Sequence, residues 1–348
     1  MLFFMNDYSE GAHPRILEAI TNTNNVKQIG YGLDEYCEEA KVLLKKRINR
    51  GDLDIHFIPA GTLTNLIAIS SFLKPYEAVI TSKLGHIAVH ETGAIEATGH
   101  RLIEVASTDG IIRPEQIDEV MLMHVDEHMV LPRLVYISNA TEMGTIYDKE
   151  SLMKLREKCD EHDLLLYIDG ARLGNAITCE SSNLTLNDIA NLSDAFYIGG
   201  TKNGILFGEA LVICNPSLKP YIRYSIKQKG GLLAKGRLLG VQFIELFKDN
   251  LYFDLSMHTN QMADMLKNGI INLGYKLVTE PSTNLIFTVL PNQINDELKE
   301  VCHYEAEFPH DSSSVEARFV TSWATTEEDV HELLEHLKLL KEKYSEYF

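Results

Sequence analysis

From Leu53 to Gly200 the chain alternates short continuous apolar runs with longer stretches in which apolar positions recur every three or four residues. "LDIHFIP" leads into "AGTLTNLIAISSFL", "AVITS" into "HIAVHETGAIEAT", "RLIEVA" into "PEQIDEVMLM", and "RLVYISNA" into "DKESLMKLREKCDEH"; "LLLYID" and "DAFYIGG" follow. The short runs read as buried strands and the three-to-four spacing as helices. Strand and helix in alternation predict an α/β unit, a mainly parallel sheet with helices on both faces and right-handed crossovers. Beyond "DAFYIGG", the Gly199-Gly200 break and the Asn203-Gly204 pair predict a tight hairpin that returns at Ile205 to Phe207 and delivers Lys202 to a strand end.

After about Tyr252 the pattern changes. A long helix, "DLSMHTNQMADMLKNGIINLG", precedes the strand-like "YKLVTE", "TNLIFTVL" and "ARFVTSWA", and an amphipathic helix, "TEEDVHELLEHLKLLKEKY", closes the chain. This predicts a large domain over residues 1–250 and a smaller α+β domain over 251–348. No repeat of fixed period is present, so the order of elements carries the fold.

In open parallel sheets ligands bind beyond the carboxyl ends of the strands. That rule selects five places: Pro59 to Thr62, Ser82 to His86, Asn139 to Glu142, Asp169 to Arg172, and Gly200 to Lys202.

Composition narrows the partners. With 348 residues and 45% hydrophobic content the chain can bury a large core, and its net charge of −18 argues against a general nucleic-acid or anionic-membrane surface. Five cysteines without a CxxC spacing fit reduced thiols better than a disulfide framework or a structural zinc site. The opening "MLFFMNDYSEG" lacks a basic leader and a cleavage site, and no run approaches membrane-spanning length. The reading is a cytoplasmic protein.

The selected strand ends carry chemistry. Gly61 and Thr62 stand where a strand becomes a helix, so an anion would find free backbone N–H groups, the helix dipole and a hydroxyl; the alternative is a plain helix cap. Neither GxGxxG nor GxxxxGK[ST] occurs, which disfavours a nucleotide. Asp169 follows a run of five apolar or aromatic residues, Leu164 to Ile168. It pairs either with Arg172 in a structural ion pair or with a cationic ring nitrogen, which would leave Arg172 for a carboxylate. His86 opens a helix, with His90 four residues on and Glu91 beside it. The H-E-x-x-H order of a zinc site is missing, so no metal is expected and His86 reads as a ring-stacking or acid/base group. A lysine for a carbonyl, an acid for a pyridine nitrogen, a helix start for a phosphate and an aromatic side chain to stack together call for pyridoxal 5'-phosphate.

At this point the sequence resembles the low-specificity L-threonine aldolases, pyridoxal-phosphate enzymes of the aspartate aminotransferase-like fold type I. The resemblance rests on "NDYSEGAHPRILEAI", "GYGLDEYCEEA", "PAGTLTNLIAI", "HETGA", "YIDGARLGNA", "GGTKNG" and "RFVTSW", in that order. It implies that Lys202 is the lysine that condenses with the cofactor, Asp169 the pyridinium partner, His86 the stacking histidine, and Gly61 with Thr62 the phosphate site. Thr201 is counted with the cofactor-binding residues. Arg172 and Arg318 are implied to grip the substrate α-carboxylate. Lys227 is implied to reach the phosphate from the neighbouring subunit, so a homodimer or homotetramer with shared active sites is expected, and Lys235, next to the Ala234 that stands in the place of a usual arginine, is counted with the cofactor-binding residues.

Three stretches depart from the family pattern. Asn6-Asp7-Tyr8 replaces Ser-Asp-Thr, so Asn6 is expected to take over the serine's carboxylate contact. Glu142 replaces a histidine, and Ala234 an arginine. The expected reaction is cleavage of L-threonine or L-allo-threonine to glycine and an aldehyde, with His86, Glu142 or a water as base. β-Elimination or transamination on the same scaffold, and a non-catalytic homologue, are the alternatives.

Overall fold

The computed structural model describes residues 1–347. Twelve strands form three sheets: β1 (Leu2–Phe3), β2 (Asp54–Ile58), β3 (Glu77–Ser82), β4 (Leu102–Val105), β5 (Leu131–Ser138), β6 (Leu165–Asp169), β7 (Ala195–Gly199), β8 (Glu209–Ile213), β9 (Leu285–Pro291), β10 (Cys302–His303), β11 (Glu305–Pro309) and β12 (Ser314–Val320). The central sheet has the order β2-β8-β7-β6-β5-β3-β4. All its strands run parallel except β8, which is antiparallel to both neighbours. The strands β6, β7 and β8 are buried throughout, as continuous apolar runs between two helical layers should be. Fold class and most elements therefore follow the hydrophobic pattern.

Register places a group of polar residues on one face. Tyr136 of β5 lies opposite Tyr167 of β6, Ser138 lies opposite Asp169, and Tyr167 pairs with Ala195, two residues before Tyr197. Because side chains alternate along a strand, Tyr136, Ser138, Tyr167, Asp169 and Tyr197 all point the same way. They face the Gly61–Phe72 helix, whose Asn65 accepts a hydrogen bond from the Tyr167 hydroxyl at 3.1 Å.

Three expected elements differ. The stretch from His86 is one short helix, His86–Val89, and a separate 3-10 turn, Glu96–Thr98; Thr92 at φ 53° and Gly93 at φ 70° break the helical path. The return from the lysine turn is β8, which begins at Glu209 rather than Ile205. "YKLVTE" forms only an isolated bridge, Leu277 with Thr288. Its partner strand β9 pairs with β12 on the other side, and around the bridge the Val278 N–H donates to the Phe287 carbonyl and the Val289 N–H to the Lys276 carbonyl, both at 2.9 Å.

The small antiparallel sheet has the order β11-β12-β9. It packs with the Glu327–Lys343 helix and the N-terminal Leu2 and Phe4 into a second apolar core. The 22-residue helix Leu251–Asn272 belongs to both cores: Leu251, Tyr252 and Leu255 join the first, Met262, Ala263, Leu266 and Ile270 the second. No helix among the described residues is long and apolar enough to cross a membrane.

Candidate active site

A cavity of ≈ 220 Å³ opens at the carboxyl edge of the central sheet. Each of the five strand ends selected from the sequence contributes to its wall: Gly61 and Thr62, His86, Glu142, Asp169 with Arg172, and Thr201 with Lys202. A larger cleft of ≈ 360 Å³ lies between the Pro14–Thr23 and Arg237–Lys248 helices, with Arg15 and Lys248 facing Glu245. It lies away from the strand ends and is lined by none of the candidate residues, so the chemistry belongs to the smaller cavity.

Asp169 sits at the buried end of β6. Its Oδ2 accepts from the Tyr136 hydroxyl at 2.6 Å and Asn65 Nδ2 at 2.9 Å; its Oδ1 accepts from the Tyr197 hydroxyl at 2.5 Å and the Ala171 N–H at 3.0 Å. Burial alone would raise its pKa. Nearby His86 and the donors Tyr136, Tyr197 and Asn65 outweigh it, and the carboxyl is held below its ordinary value. The predicted structural pair with Arg172 is absent from the ion pairs of the described residues: Arg172 instead grips Asp7, Nε to Oδ2 at 2.6 Å and Nη2 to Oδ1 at 3.1 Å. Asn284 Nδ2 adds a third hydrogen bond to Asp7 at 2.9 Å.

Lys202 is half-buried in the turn after β7. Burial, then the charge of Arg172, lowers its pKa against the pull of Asp7, Asp169 and Glu209, so more of its amine is neutral and nucleophilic. The turn depends on two glycines: Gly204 at φ 85° and Gly208 at φ 124°, where a Cβ would also meet Leu255 and Leu239 at 2.6 and 2.5 Å.

The Gly61–Phe72 helix starts after Ala60, which provides no side-chain cap. Thr62 is therefore not the cap that the bland reading required. The first N–H groups of the helix and its dipole face the cavity, a suitable cradle for a phosphate. His86, a third exposed, holds its Nδ1 2.8 Å from Glu91 Oε1. Glu91 also accepts from Asn65 Nδ2 at 2.7 Å, so one asparagine bridges the carboxylates of Glu91 and Asp169. Glu142 Oε1 accepts from the His86 N–H at 2.9 Å and the Ser138 hydroxyl at 2.6 Å. Burial and the Asp169 charge raise its pKa, although Ser138 and His86 oppose the rise.

The remaining candidates lie outside the cavity wall. Arg318 on β12 pairs with Glu305 at 2.5 Å, and its buried Nε has no hydrogen-bond partner among the described residues. Asn6 does not line the cavity: its Oδ1 accepts from the Tyr8 N–H at 3.0 Å and the Ser9 hydroxyl at 2.7 Å in a local turn, while Asp7 and Tyr8 reach the site. Lys227 and Lys235 are exposed, with Lys227 Nζ 4.2 Å from the Tyr31 ring centroid. Among the described residues, one acidic cluster has ligand-like spacing, Asp118, Glu161 and His162; the Lys158 ammonium bonds both of its carboxylates, at 3.0 and 2.6 Å.

Comparison with known proteins agrees with this geometry. Residues 24–293 match the beta-eliminating lyase family. The low-specificity L-threonine aldolase of a Pseudomonas species is 32% identical over 340 residues, 95% of each chain. The structure of the Leishmania major threonine aldolase superposes with a TM-score of 0.97 at 47% identity, covering 98% of this chain and 99% of that one. Aspartate aminotransferase from Thermus thermophilus, 15% identical with a TM-score of 0.73 over 98% and 91% of the two chains, shares the fold. The chain belongs to the beta-eliminating lyase family, and within it to the low-specificity L-threonine aldolases.

Proposed function

We propose that this protein binds pyridoxal 5'-phosphate in the strand-end cavity and cleaves L-threonine or L-allo-threonine to glycine and acetaldehyde. The observation that carries the reading is the meeting of a half-buried lysine of lowered pKa, an ionised aspartate and an uncapped helix start in one cavity. When bound, the cofactor supplies an aldehyde and an electron-accepting ring. Lys202 would hold the first with its partly neutral amine, Asp169 would keep the ring nitrogen protonated, Gly61 and Thr62 would bind the phosphate with Thr201 nearby, and His86 would serve as the stacking group. The chain's own residues fit these roles without rearrangement of the sheet.

Arg172 and Arg318 orient the substrate carboxylate. Asp7 occupies two of the five N–H donors of Arg172 and thereby fixes the plane of its guanidinium, leaving the rest for the substrate. The Nε of Arg318 is buried without a hydrogen-bond partner among the described residues, so its guanidinium keeps donor capacity that Glu305 does not use. Arg318→Ala should raise KM for L-threonine by about 10- to 100-fold, the value of a charge-assisted hydrogen bond, with cofactor affinity unchanged. An unchanged KM would remove Arg318 from the carboxylate site.

Glu142 takes the β-hydroxyl proton. A carboxylate with a raised pKa is a stronger base, and Glu142 is ionised only once pH exceeds that raised value. Rate should therefore climb with pH through the Glu142 titration. In Glu142→Gln, kcat should drop by about 10²- to 10⁴-fold and this rising limb should disappear. A persisting limb would assign the proton to His86 or a held water.

The location is proposed to be cytoplasmic, and the assembly a homodimer or homotetramer in which Lys227 and Lys235 serve the neighbouring subunit's phosphate. Exposed Ile29, Leu33, Tyr221 and Tyr224 supply apolar surface near that basic segment. The direct test of the function is an absorbance spectrum of the cofactor-loaded protein together with assays of glycine and acetaldehyde from both threonine isomers. A cofactor band without either product would redirect the reading to β-elimination, which releases a keto acid and ammonia instead.

A further inference from the structure

Glu209 is a buried acid that has no place in the roles above, yet it lines the cavity. It arrives there because β8 is antiparallel: its first residue lies at the same sheet edge as the last residues of β5, β6 and β7, with Glu209 opposite Gly199. Glu209 Oε1 accepts from the Thr201 hydroxyl at 2.7 Å, and Oε2 accepts from the Gly200 N–H at 2.9 Å. The Thr201 oxygen in turn accepts from the Gly208 N–H at 3.0 Å. One carboxylate thus closes the base of the lysine turn from both sides, with Lys202 next in the chain after Thr201. No ion-pair contact to Glu209 occurs among the described residues, so its charge acts on the turn at longer range.

We propose that Glu209 is a positioning residue that clamps the Gly200–Gly208 turn and, through its negative charge, sets the protonation of the Lys202 amine. The charged groups facing it are Lys202 on the turn and Asp169 on β6, with the phenols of Tyr167, Tyr197 and Tyr252 from β6, β7 and the Leu251–Asn272 helix. Lys202 itself is also faced by Arg172 and Asp7. Burial dominates at Glu209 and, with the Asp169 charge, lifts its carboxyl to about 7, against Thr201, Gly200 and Lys202, which act to lower it. Its charge therefore changes near neutral pH, where the Lys202 amine must be partly neutral. A glutamate anion favours the ammonium and a neutral acid favours the free amine, so each proton on one group loosens the proton on the other.

The inference deepens the reading of Lys202 as the cofactor's partner, and its test is run on the cofactor-free protein so that the two stand apart. The probe is the rate at which acetic anhydride acetylates Lys202, followed by peptide mass spectrometry across pH. Glutamine keeps the shape of Glu209 and can still bond Gly200 and Thr201 but carries no charge. In Glu209→Gln the Lys202 midpoint should move down by about one pH unit, the size expected for a partly buried neighbouring charge. In Glu209→Asp, which retains the charge, it should stay near the wild-type value. An unchanged midpoint in Glu209→Gln, or an equal fall in both variants, would overturn the electrostatic role.

Should Glu209→Gln not fold, the coupling is read from its other side in Lys202→Met. Glu209 has a raised folded-state pKa, so its contribution to stability is present below its ordinary value of 4.5 and is lost as pH rises through about 7. Without the lysine charge that loss should deepen, and Tm should fall more steeply between pH 6 and 9 than in the wild type. Parallel Tm profiles would overturn the proposal equally.

Discussion

Lys202→Ala is expected to abolish the visible absorbance of the cofactor-loaded protein and to reduce glycine and acetaldehyde formation by about 10⁴-fold or more, the scale of losing a nucleophile. The fold should persist, because the methylene stem of Lys202 closes the cavity rather than either apolar core, and the turn is held by backbone and by Glu209. Far-UV circular dichroism with a cofactor titration separates the two outcomes. A visible band that survives the substitution would mean that another amine takes the cofactor aldehyde.

The second large effect is expected at Asp169. Asparagine is nearly isosteric and removes only the charge, but that charge is the reason the β6 strand end exists in polar form. Tyr136, Tyr197, Asn65 and the Ala171 N–H all donate to it. With an amide in its place, one –NH₂ faces donors, and the ring nitrogen that Asp169 is proposed to hold would lose its anionic partner. Breaking one side of a buried charge pair costs about 3 to 5 kcal/mol, so Asp169→Asn should lower kcat by about 10³-fold and weaken cofactor retention. A kcat within tenfold of the wild type, measured at saturating cofactor, would show that the ring nitrogen does not depend on this carboxylate.

The strand ends were readable because buried parallel strands are continuous apolar runs and the residues immediately after them must face the ligand edge. Gly61, Thr62, His86, Glu142, Asp169, Arg172 and Lys202 meet in one cavity for that reason. The partner of Arg172 was not readable: Asp7 lies 165 positions away, and no local pattern predicts which acid a long-range fold will present. Asn6 was expected in the site because it occupies a serine's place, yet the chain turns on Asn6 and presents its neighbours instead. Glu209 was missed through a shift of a few residues. With the return strand placed at Ile205 to Phe207, Glu209 would lie on the way out of the site; once β8 begins at Glu209, its antiparallel direction puts it at the ligand edge. An acid opening the apolar run "EALVI" was the available signal. Likewise, Thr92-Gly93 in "HETGA" announced the break that the helical spacing concealed.

The Leu251–Asn272 helix gives the site a fixed measure. Ser256 donates to Asn203 at 3.0 Å, beside the lysine, and the Thr321 hydroxyl at the end of the strand that carries Arg318 donates to the Thr259 carbonyl at 2.9 Å. Less than one turn of helix therefore separates the anchor of the turn that carries Lys202 from the anchor of the strand that carries Arg318. One helix thus acts as a ruler between the lysine turn of the large sheet and the arginine strand of the small one. With Lys202 and Arg318 in their proposed roles, that ruler sets the distance between the cofactor end and the carboxylate end of the site and leaves the substrate side chain to whatever shape the rest of the cavity admits.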